Sequence, residues 1–196
     1  MRIKIALNAT PLLAPLTGIG YYIASLLEQL HGFEELETYP FYGATWLRPP
    51  GKVMRLSMAA IHRLLRVLPQ GPITAVRSAQ QQAFDWGTSR YGFTLYHEPN
   101  YCPLEFHGPT VVTVCDLSFI RFPETMPLER LRHLERCMPN AVARAAHILV
   151  ISEFTKNELI ALLGVPPDRI TVTHPGVRPH FRPRSEAEIA PLLRQY

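Results

Sequence analysis

The sequence has few cysteines, no long apolar run and almost no acidic residues in one internal segment, and each shortage excludes a class of protein. Its three cysteines are an odd number without CxxC spacing, which indicates neither a disulfide framework nor a zinc site and fits a reducing compartment. No apolar run approaches the roughly 18 residues that a membrane-spanning helix needs. The first five residues enter an alternating strand pattern without the apolar core of a secretory signal. We therefore expect a cytoplasmic protein.

The charge is concentrated in one segment of the chain. Between Trp46 and Arg90 there are seven basic residues and a single acidic one, Asp85, whereas the remainder is slightly acidic. This distribution predicts a basic patch rather than a generally basic surface. The patch lacks interleaved exposed aromatic residues and the chain lacks a recognised nucleic-acid-binding module, so we expect no nucleic-acid partner.

Hydrophobic periodicity predicts an α/β fold, and an apolar fraction of 47% excludes disorder. Strands are predicted at residues 3–7, 37–42, 93–96, 110–115, 147–151 and 170–174. Helices are predicted at 19–30, 53–68, 74–90, 128–145 with an interruption or bend at Pro139, and between an N-cap at Ser152 and a terminator at Gly164. Alternating strands and helices with apolar strands predict a Rossmann-like parallel sheet with helices on both faces.

Ligands of such sheets bind at the carboxyl ends of the strands, and the first of these ends carries a glycine pair. Gly18 and Gly20 open the first helix, where backbone N–H groups and the helix dipole favour an anion such as a diphosphate. Simple turn geometry is the alternative. A dinucleotide fingerprint is excluded because its third glycine would fall on Ile23 and the preceding loop is too long.

Two further strand ends carry polar residues. Residues 97–101 (HEPNY) and Asp116 are either ligand contacts or ordinary turns that leave the sheet. His97, His107, Asp116 and His174 lack metal-ligand spacing, so we expect no metal. The sequence has no nucleophile elbow and no Walker motif.

Read together, four segments resemble the N-terminal half of group 1 glycosyltransferases, which have the two-domain GT-B fold. They are TGIGYYIASLLEQL, YHEPNYCP, VVTVCDLSFIRFPETMP and AHILVISEFTKNELIALLGVPPDRITVTHPGV, followed by Phe181. The resemblance implies transfer of a sugar from a nucleotide-sugar donor to a glycan or lipid-linked acceptor, as in polysaccharide biosynthesis. It implies retention of configuration, and no cofactor or metal.

The resemblance also implies roles for residues at the strand ends. The catalytic residues would be Cys115 and Asp116, the donor diphosphate contacts Gly18 and Gly20, and the acceptor or sugar contacts His97, Asn100, Tyr101 and Ser118. The family often has histidine where this sequence has Cys115, and a thiol is a poor hydrogen-bond donor. Either Cys115 tunes acceptor choice, another group such as His97 supplies the contact, or activity is low.

The resemblance predicts how the chain is organised. Residues 1–182 would form the Rossmann-like acceptor-side domain, and residues 183–196 would start a linker towards a C-terminal donor-binding domain that this sequence lacks. We then expect this chain to be inactive alone, with the donor held mainly by that second domain. The alternative is a non-catalytic α/β binding or membrane-docking module derived from such a domain.

The predicted helix at residues 53–68 has a wide apolar arc and a narrow basic edge. Arg55, Arg63 and Arg66 lie on that edge. The helix either packs on the sheet with its arginines in water or attaches the protein peripherally to the inner face of an anionic membrane, where lipid-linked acceptors lie.

The membrane interpretation makes a direct prediction. The protein should sediment with anionic liposomes at low salt and be released at high salt, because the attraction of arginine for lipid phosphate is screened. Neutral liposomes are the control. Absence of cosedimentation at low salt would exclude attachment through this helix.

Overall fold

Six parallel strands form the sheet of the computed structural model, which describes residues 2–48, 71–178 and 181–194, the side chains of residues 71–75 excepted. The strands are β1 (Ile3–Asn8), β2 (Leu36–Phe41), β3 (Leu95–Glu98), β4 (Thr110–Val114), β5 (His147–Val150) and β6 (Ile170–Val172). Their order is β2-β1-β3-β4-β5-β6, and all five pairings are parallel. The predicted Rossmann-like α/β architecture is confirmed.

Helices cover both faces of the sheet. Those in the described residues are α1 (Gly18–Leu30), α2 (Gly71–Tyr91), α3 (Ser118–Arg121), α4 (Leu128–Arg144), α5 (Glu153–Leu163) and α6 (Glu186–Leu193). Neighbouring residues of β1 point to opposite faces, so Leu7 packs with Ile23 of α1 while Ala6 packs with Phe84 of α2. None of these described helices is long and apolar enough to cross a bilayer.

The ends of α5 follow the chemistry expected from the sequence. The Ser152 hydroxyl accepts a hydrogen bond from the Thr155 N–H at 3.2 Å, and Gly164 ends the helix in the left-handed region at φ 64°. In α4, however, the helix runs through Pro139 without ending, so of the predicted interruption or bend the interruption does not occur and the bend stays a prediction. Pro139 is exposed on that helix.

The third strand begins two residues later than the sequence predicts. The prediction ended it at residue 96 because His97 and Glu98 are polar, yet both lie within β3 and are buried. Phe93 instead stacks on the indole of Trp46, with ring centroids 4.9 Å apart. The correction moves His97 from a loop at the edge into the sheet.

The cysteines are also arranged differently from the expectation. Cys102, in the loop after β3, and Cys137 of α4 form a disulfide with Cα atoms 5.7 Å apart, and Cys115 is the free cysteine. The two are separated by 35 positions in sequence, and their proximity depends on packing of the loop against α4. The interpretation of three unpaired thiols was therefore wrong.

The basic helix and the start of the linker are predicted outside the strands of the sheet. The basic helix at 53–68, with Arg55, Arg63 and Arg66, lies outside the described residues. Residues 183–196, predicted as the start of a linker, include α6, whose N-terminus is closed by a reciprocal pair of hydrogen bonds between Ser185 and Glu188. The domain boundary at residue 182 stays a prediction.

An aromatic cluster fixes α2 against the edge of the sheet. Trp46 lies 4.8 Å from Phe41 and 5.4 Å from Phe84 between ring centroids, and its Nε1–H donates to the Ala83 carbonyl at 3.0 Å. Gly87, one helical turn further along α2, is buried beneath the same indole. A Cβ at Gly87 would overlap the indole of Trp46.

We therefore predict that Gly87→Ala destabilises the protein. Alanine at an ordinary interior helix position stabilises by roughly 1 kcal/mol relative to glycine, whereas overpacking here should cost about 1–3 kcal/mol. Chemical denaturation measures the change, and Ser89→Ala on the exposed face of α2 is the control, expected within about 0.5 kcal/mol of wild type. A Gly87→Ala protein as stable as wild type would contradict this packing.

Candidate active site

The strand order reverses at β1, and a ligand would bind beside this strand at the carboxyl edge of the sheet. The chain leaves β1 for β2 on one side and returns to β3 on the other, so a crevice opens between the carboxyl ends of β1 and β3. Asn8 ends β1 and Glu98 ends β3. The Asn8 Nδ2 amide donates to Glu98 Oε2 at 2.7 Å and links the two strand ends.

Glu98 is the most deeply buried acidic side chain at this edge, with 1% of its surface exposed. Its Oε2 also accepts from the Tyr96 hydroxyl at 2.7 Å, and its Oε1 accepts from the Asn100 N–H at 3.0 Å. Burial raises the pKa of Glu98 to about 7, although these hydrogen bonds act in the opposite direction. The carboxyl group is therefore balanced between its two protonation states near neutral pH.

Asp116 follows β4 and is held in a defined orientation by its own turn. Its Oδ1 accepts from the Ser118 N–H at 2.9 Å and from the Ser118 hydroxyl at 2.6 Å, and the Asp116 N–H donates to the Tyr101 hydroxyl at 3.3 Å. Burial alone would raise the pKa of Asp116, but the hydrogen bonds from Ser118 and Tyr101 lower it. Asp116 is thus an anion at neutral pH, and it is partly exposed.

Cys115 lies beside Asp116 but has a different electrostatic character. Burial, followed by the neighbouring Asp116 charge, raises the pKa of its thiol to about 11. The Cys115 carbonyl accepts from the Thr155 hydroxyl at 3.1 Å, which joins β4 to the start of α5. The thiol is therefore protonated at neutral pH and is suited to a contact rather than to attack as a thiolate.

His97 points away from Glu98, because alternation along β3 places the two side chains on opposite faces of the sheet. Only 6% of its surface is exposed, and its Nε2 lies 2.9 Å from Thr113 Oγ1, which in turn lies 3.3 Å from the Tyr22 hydroxyl of α1. Burial lowers the pKa of His97 to about 4, so its imidazole is neutral. The predicted sugar contact of His97 stays a prediction.

The two glycines of α1 occupy different surroundings. Gly18 is exposed, and a Cβ there would meet nothing within 4 Å, so its backbone is open to a ligand. Gly20 is buried, and a Cβ there would lie 3.0 Å from the Leu16 side chain. Packing against Leu16 thus explains why position 20 is a glycine, whereas packing does not explain the glycine at position 18.

A cation lies against the same end of α1. The guanidinium of Arg178, beyond β6, is 4.1 Å from the centre of the Tyr21 ring and 5.2 Å from that of Phe181. Tyr21 is one residue after Gly20, so Arg178 adds positive charge near the positive end of the α1 dipole.

Two cavities open at this edge of the sheet. The larger, about 760 Å³, is lined by Asn8, Glu98, Asn100, Arg77 and Arg130 together with part of the loop that carries Cys102. The second, about 420 Å³, lies against Asp116 and Ser118, with the exposed rings of Phe122 and Phe154 on its walls.

An ion pair stabilises the second cavity. Arg121 of α3 donates from Nε and one terminal nitrogen to the two carboxylate oxygens of Glu158 in α5, both at 2.7 Å. The pair joins the helix that follows Asp116 to α5.

The structure divides the predicted site residues into groups. Cys115, Asp116, Ser118 and Tyr101 are neighbours at the end of β4, and Asn100 joins Glu98 in the larger cavity. Gly18 and Gly20 lie on α1, which contacts β4 through Tyr22. His97 lies on the α1 face of the sheet, where Thr113 links it to Tyr22.

The loops that build this edge match a known family. The model of Glycosyltransferase Family 4 matches residues 18–181, which include every predicted site residue of the described chain. The chain belongs to glycosyltransferase family 4. It is 33% identical over 199 residues to O-antigen chain mannosyltransferase B of Escherichia coli, an alignment that covers 98% of this chain and 52% of that protein. The chain thus spans about half the length of the curated relative it matches.

Membership in family 4 confirms the resemblance seen in the sequence, but reasoning from residues missed two groups. Glu98 was treated as part of a loop, and its only signal was an acidic residue close to the end of an apolar strand. Arg178 had no signal at all, because its approach to Tyr21 depends on how the chain beyond β6 returns to α1.

The raised pKa of Glu98 predicts how stability depends on pH. The pKa of Glu98 in the folded protein, about 7, lies above the ordinary value of 4.5. The contribution of its protonated carboxyl group to the free energy of unfolding is therefore fully present below pH 4.5 and is lost as the pH rises to 7. This loss amounts to about 3 kcal/mol. Glu98→Gln removes this pH-dependent loss. The free energy of unfolding of the variant, measured with urea, should therefore rise relative to that of wild type between pH 4.5 and pH 7.

The difference between variant and wild type is the informative quantity. Buried neutral His97, whose folded pKa of about 4 lies below its ordinary 6.5, has the opposite slope and partly masks the effect of Glu98 in the wild type, whereas its contribution cancels in the difference. Ser89→Ala, at an exposed position without an ionisable side chain, is the control and should show no such trend. Parallel pH profiles for wild type and Glu98→Gln would contradict the assignment.

Proposed function

We propose that this chain is the acceptor-side domain of a glycosyltransferase that moves mannose from a nucleotide-activated donor to a growing glycan or lipid-linked acceptor. The observation that carries the proposal is the 33% identity to an O-antigen chain mannosyltransferase over 98% of the chain, because this match includes every loop at the carboxyl edge of the sheet. Retention of configuration belongs to the same proposal.

The start of α1 is the proposed contact for the donor diphosphate. The first N–H groups of a helix have no partner within it, and the open backbone at Gly18 lets phosphate oxygens approach them. The guanidinium of Arg178 supplies a counter-charge beside Tyr21. Gly20 contributes by letting the helix pack closely on Leu16.

Asp116 is the proposed acceptor of a hydrogen bond from the transferred sugar. Ser118 holds its Oδ1 through two hydrogen bonds, and Oδ2 is the oxygen that would accept from a sugar hydroxyl. The protonated thiol of Cys115 beside it would contact the transferred sugar without carrying charge. This separation of roles follows from the opposite pKa shifts of the two neighbours.

The larger cavity is the proposed acceptor site. Arg77 and Arg130 give it two guanidinium groups, which suit the phosphate groups of a lipid-linked acceptor. Asn8, Glu98 and Asn100 form a polar wall suited to sugar hydroxyls. Peripheral attachment to a membrane through Arg55, Arg63 and Arg66 is part of the proposal and has its test in liposome sedimentation.

In the proposed reaction, the bond between the sugar C1 and the diphosphate oxygen breaks, and the electron pair leaves with the diphosphate. A new bond forms between C1 and the acceptor hydroxyl oxygen, whose proton passes to a phosphate oxygen of the leaving group. No residue at this edge needs to form a covalent intermediate, and the protonated thiol of Cys115 fits that scheme.

Asp116→Asn tests the proposal in the complete gene product that carries this chain. The variant keeps the contacts to Ser118 but loses the charge, so transfer of labelled mannose should fall about 10- to 100-fold, as for a hydrogen bond to a charged group worth about 1.5–3 kcal/mol. The thermal midpoint should change little, because Asp116 is partly exposed.

Asp168→Asn is the matched control. Asp168 is exposed and precedes β6 at the opposite edge of the sheet, so transfer should equal that of wild type. Equal transfer by both variants would remove Asp116 from the site. Transfer of glucose but not mannose from its nucleotide sugar would contradict the proposed donor while leaving the proposed reaction class intact.

A further inference from the structure

Three side chains of metal-ligating type meet between α4 and the loop after β3. The sulfur atoms of Cys102 and Cys137 and an imidazole nitrogen of His133 all lie within 4.8 Å of one another. All three residues are half-buried. A disulfide between the cysteines needs no third partner, so the approach of His133 to both sulfurs is a separate feature of this place.

The helix accounts for two of the three positions. His133 and Cys137 are four residues apart on α4, so their side chains lie on one face, one above the other. This spacing of two ligands on a helix is typical of metal sites. It is visible in the sequence, but the candidates weighed there were His97, His107, Asp116 and His174.

The loop after β3 supplies the third position. Tyr101 adopts a left-handed conformation at φ 67°, which is uncommon for a residue other than glycine, and its N–H donates to the Thr113 carbonyl at 3.2 Å. The Cys102 N–H donates to the Asn100 carbonyl at 2.8 Å. Cys102 therefore approaches α4 from a backbone that these two hydrogen bonds hold in place.

We propose that, in the reduced protein, Cys102, Cys137 and His133 bind one Zn²⁺ ion. Two thiolates and an imidazole are preferred zinc ligands, and two sulfurs around a tetrahedral zinc lie roughly 3.8 Å apart, within the span of this cluster. The proposal departs from the expectation of no metal. It is independent of the proposed transferase function.

The charge and access of the cluster favour this ion. Two thiolates neutralise Zn²⁺, so the neighbouring guanidinium groups of Arg77, Arg130 and Arg136 do not face a net positive complex. An imidazole nitrogen of His133 lies within 4.8 Å of both sulfur atoms, so it can complete a set of three ligands. Cys102 and His133 line the 760 Å³ cavity, from which a water supplies the fourth ligand.

Disulfide and zinc site are alternative states of the same cysteines. A dithiol reductant transfers two electrons and two protons to the disulfide, which breaks the sulfur–sulfur bond and yields two thiols. Zinc then forms two bonds to sulfur and displaces the two thiol protons. Zinc binding would replace the covalent link between the loop and α4 with a coordinate one.

The test is anaerobic titration of the protein after reduction and removal of the reductant. Co²⁺ should give the absorption bands of tetrahedral thiolate coordination, and Zn²⁺ should abolish them at one equivalent per chain. Cys102→Ser and Cys137→Ser should each weaken binding at least about 100-fold, and His133→Gln at least about 10-fold, because each removes a ligand. The oxidised protein should bind no metal at this site.

The controls separate this site from other thiols and imidazoles. Cys115→Ser and His107→Gln, the latter at an exposed position, should keep both the stoichiometry and the Co²⁺ spectrum. His133→Gln retains both cysteines, so it remains informative if a serine variant fails to fold. A reduced wild type that binds Co²⁺ no more tightly than His133→Gln, or a disulfide that resists reduction in the folded protein, would overturn the proposal in favour of a structural disulfide only.

Discussion

The buried carboxyl group of Glu98 is the constraint on which the arrangement of the active edge depends. An isolated carboxylate inside a protein is expensive, so it persists only where donors converge on it. Asn8 from β1, Tyr96 from β3 and the backbone of Asn100 converge here at 2.7–3.0 Å. These bonds tie the ends of two neighbouring strands together at the point where the chain changes direction across the sheet, and they start the loop that carries Asn100, Tyr101 and Cys102.

That loop transmits the position of Glu98 to the rest of the site. Tyr101 is buried among the core residues of β4 and α4, and its hydroxyl accepts from the backbone of Asp116. Asp116 is therefore oriented from two directions, by Tyr101 and by Ser118. The protonation states along this path differ sharply, with Asp116 ionised, Cys115 protonated and His97 neutral. Burial and hydrogen bonding, rather than residue type alone, set each of these states.

The same loop is linked to α4 by the cysteine pair, while α2 is held by the aromatic cluster around Trp46. The larger cavity lies between these two attachments, and its arginines come one from each helix. A change at the cysteines would thus act on the wall of the proposed acceptor site. The proposed donor contact at Gly18 belongs to the other side of the sheet edge, where Arg178 approaches α1.

Local patterns in the sequence determined most of the architecture. Periodicity, the Ser152 cap and the Gly164 terminator depend on residues within a few positions of one another, and so the six strands, the helices α1, α2, α4 and α5 and the parallel sheet could be predicted. The short α3 and the terminal α6 were not predicted. The end of β3 was misplaced because His97 and Glu98 are polar, and only distant partners, Thr113 and Asn8, make their burial tolerable. Pairing of Cys102 with Cys137, the approach of His133, and the contact of Arg178 with Tyr21 were likewise decided by tertiary structure. Each joins residues that are far apart in the chain, and the packing of helices and loops against the sheet alone brings them within bonding distance.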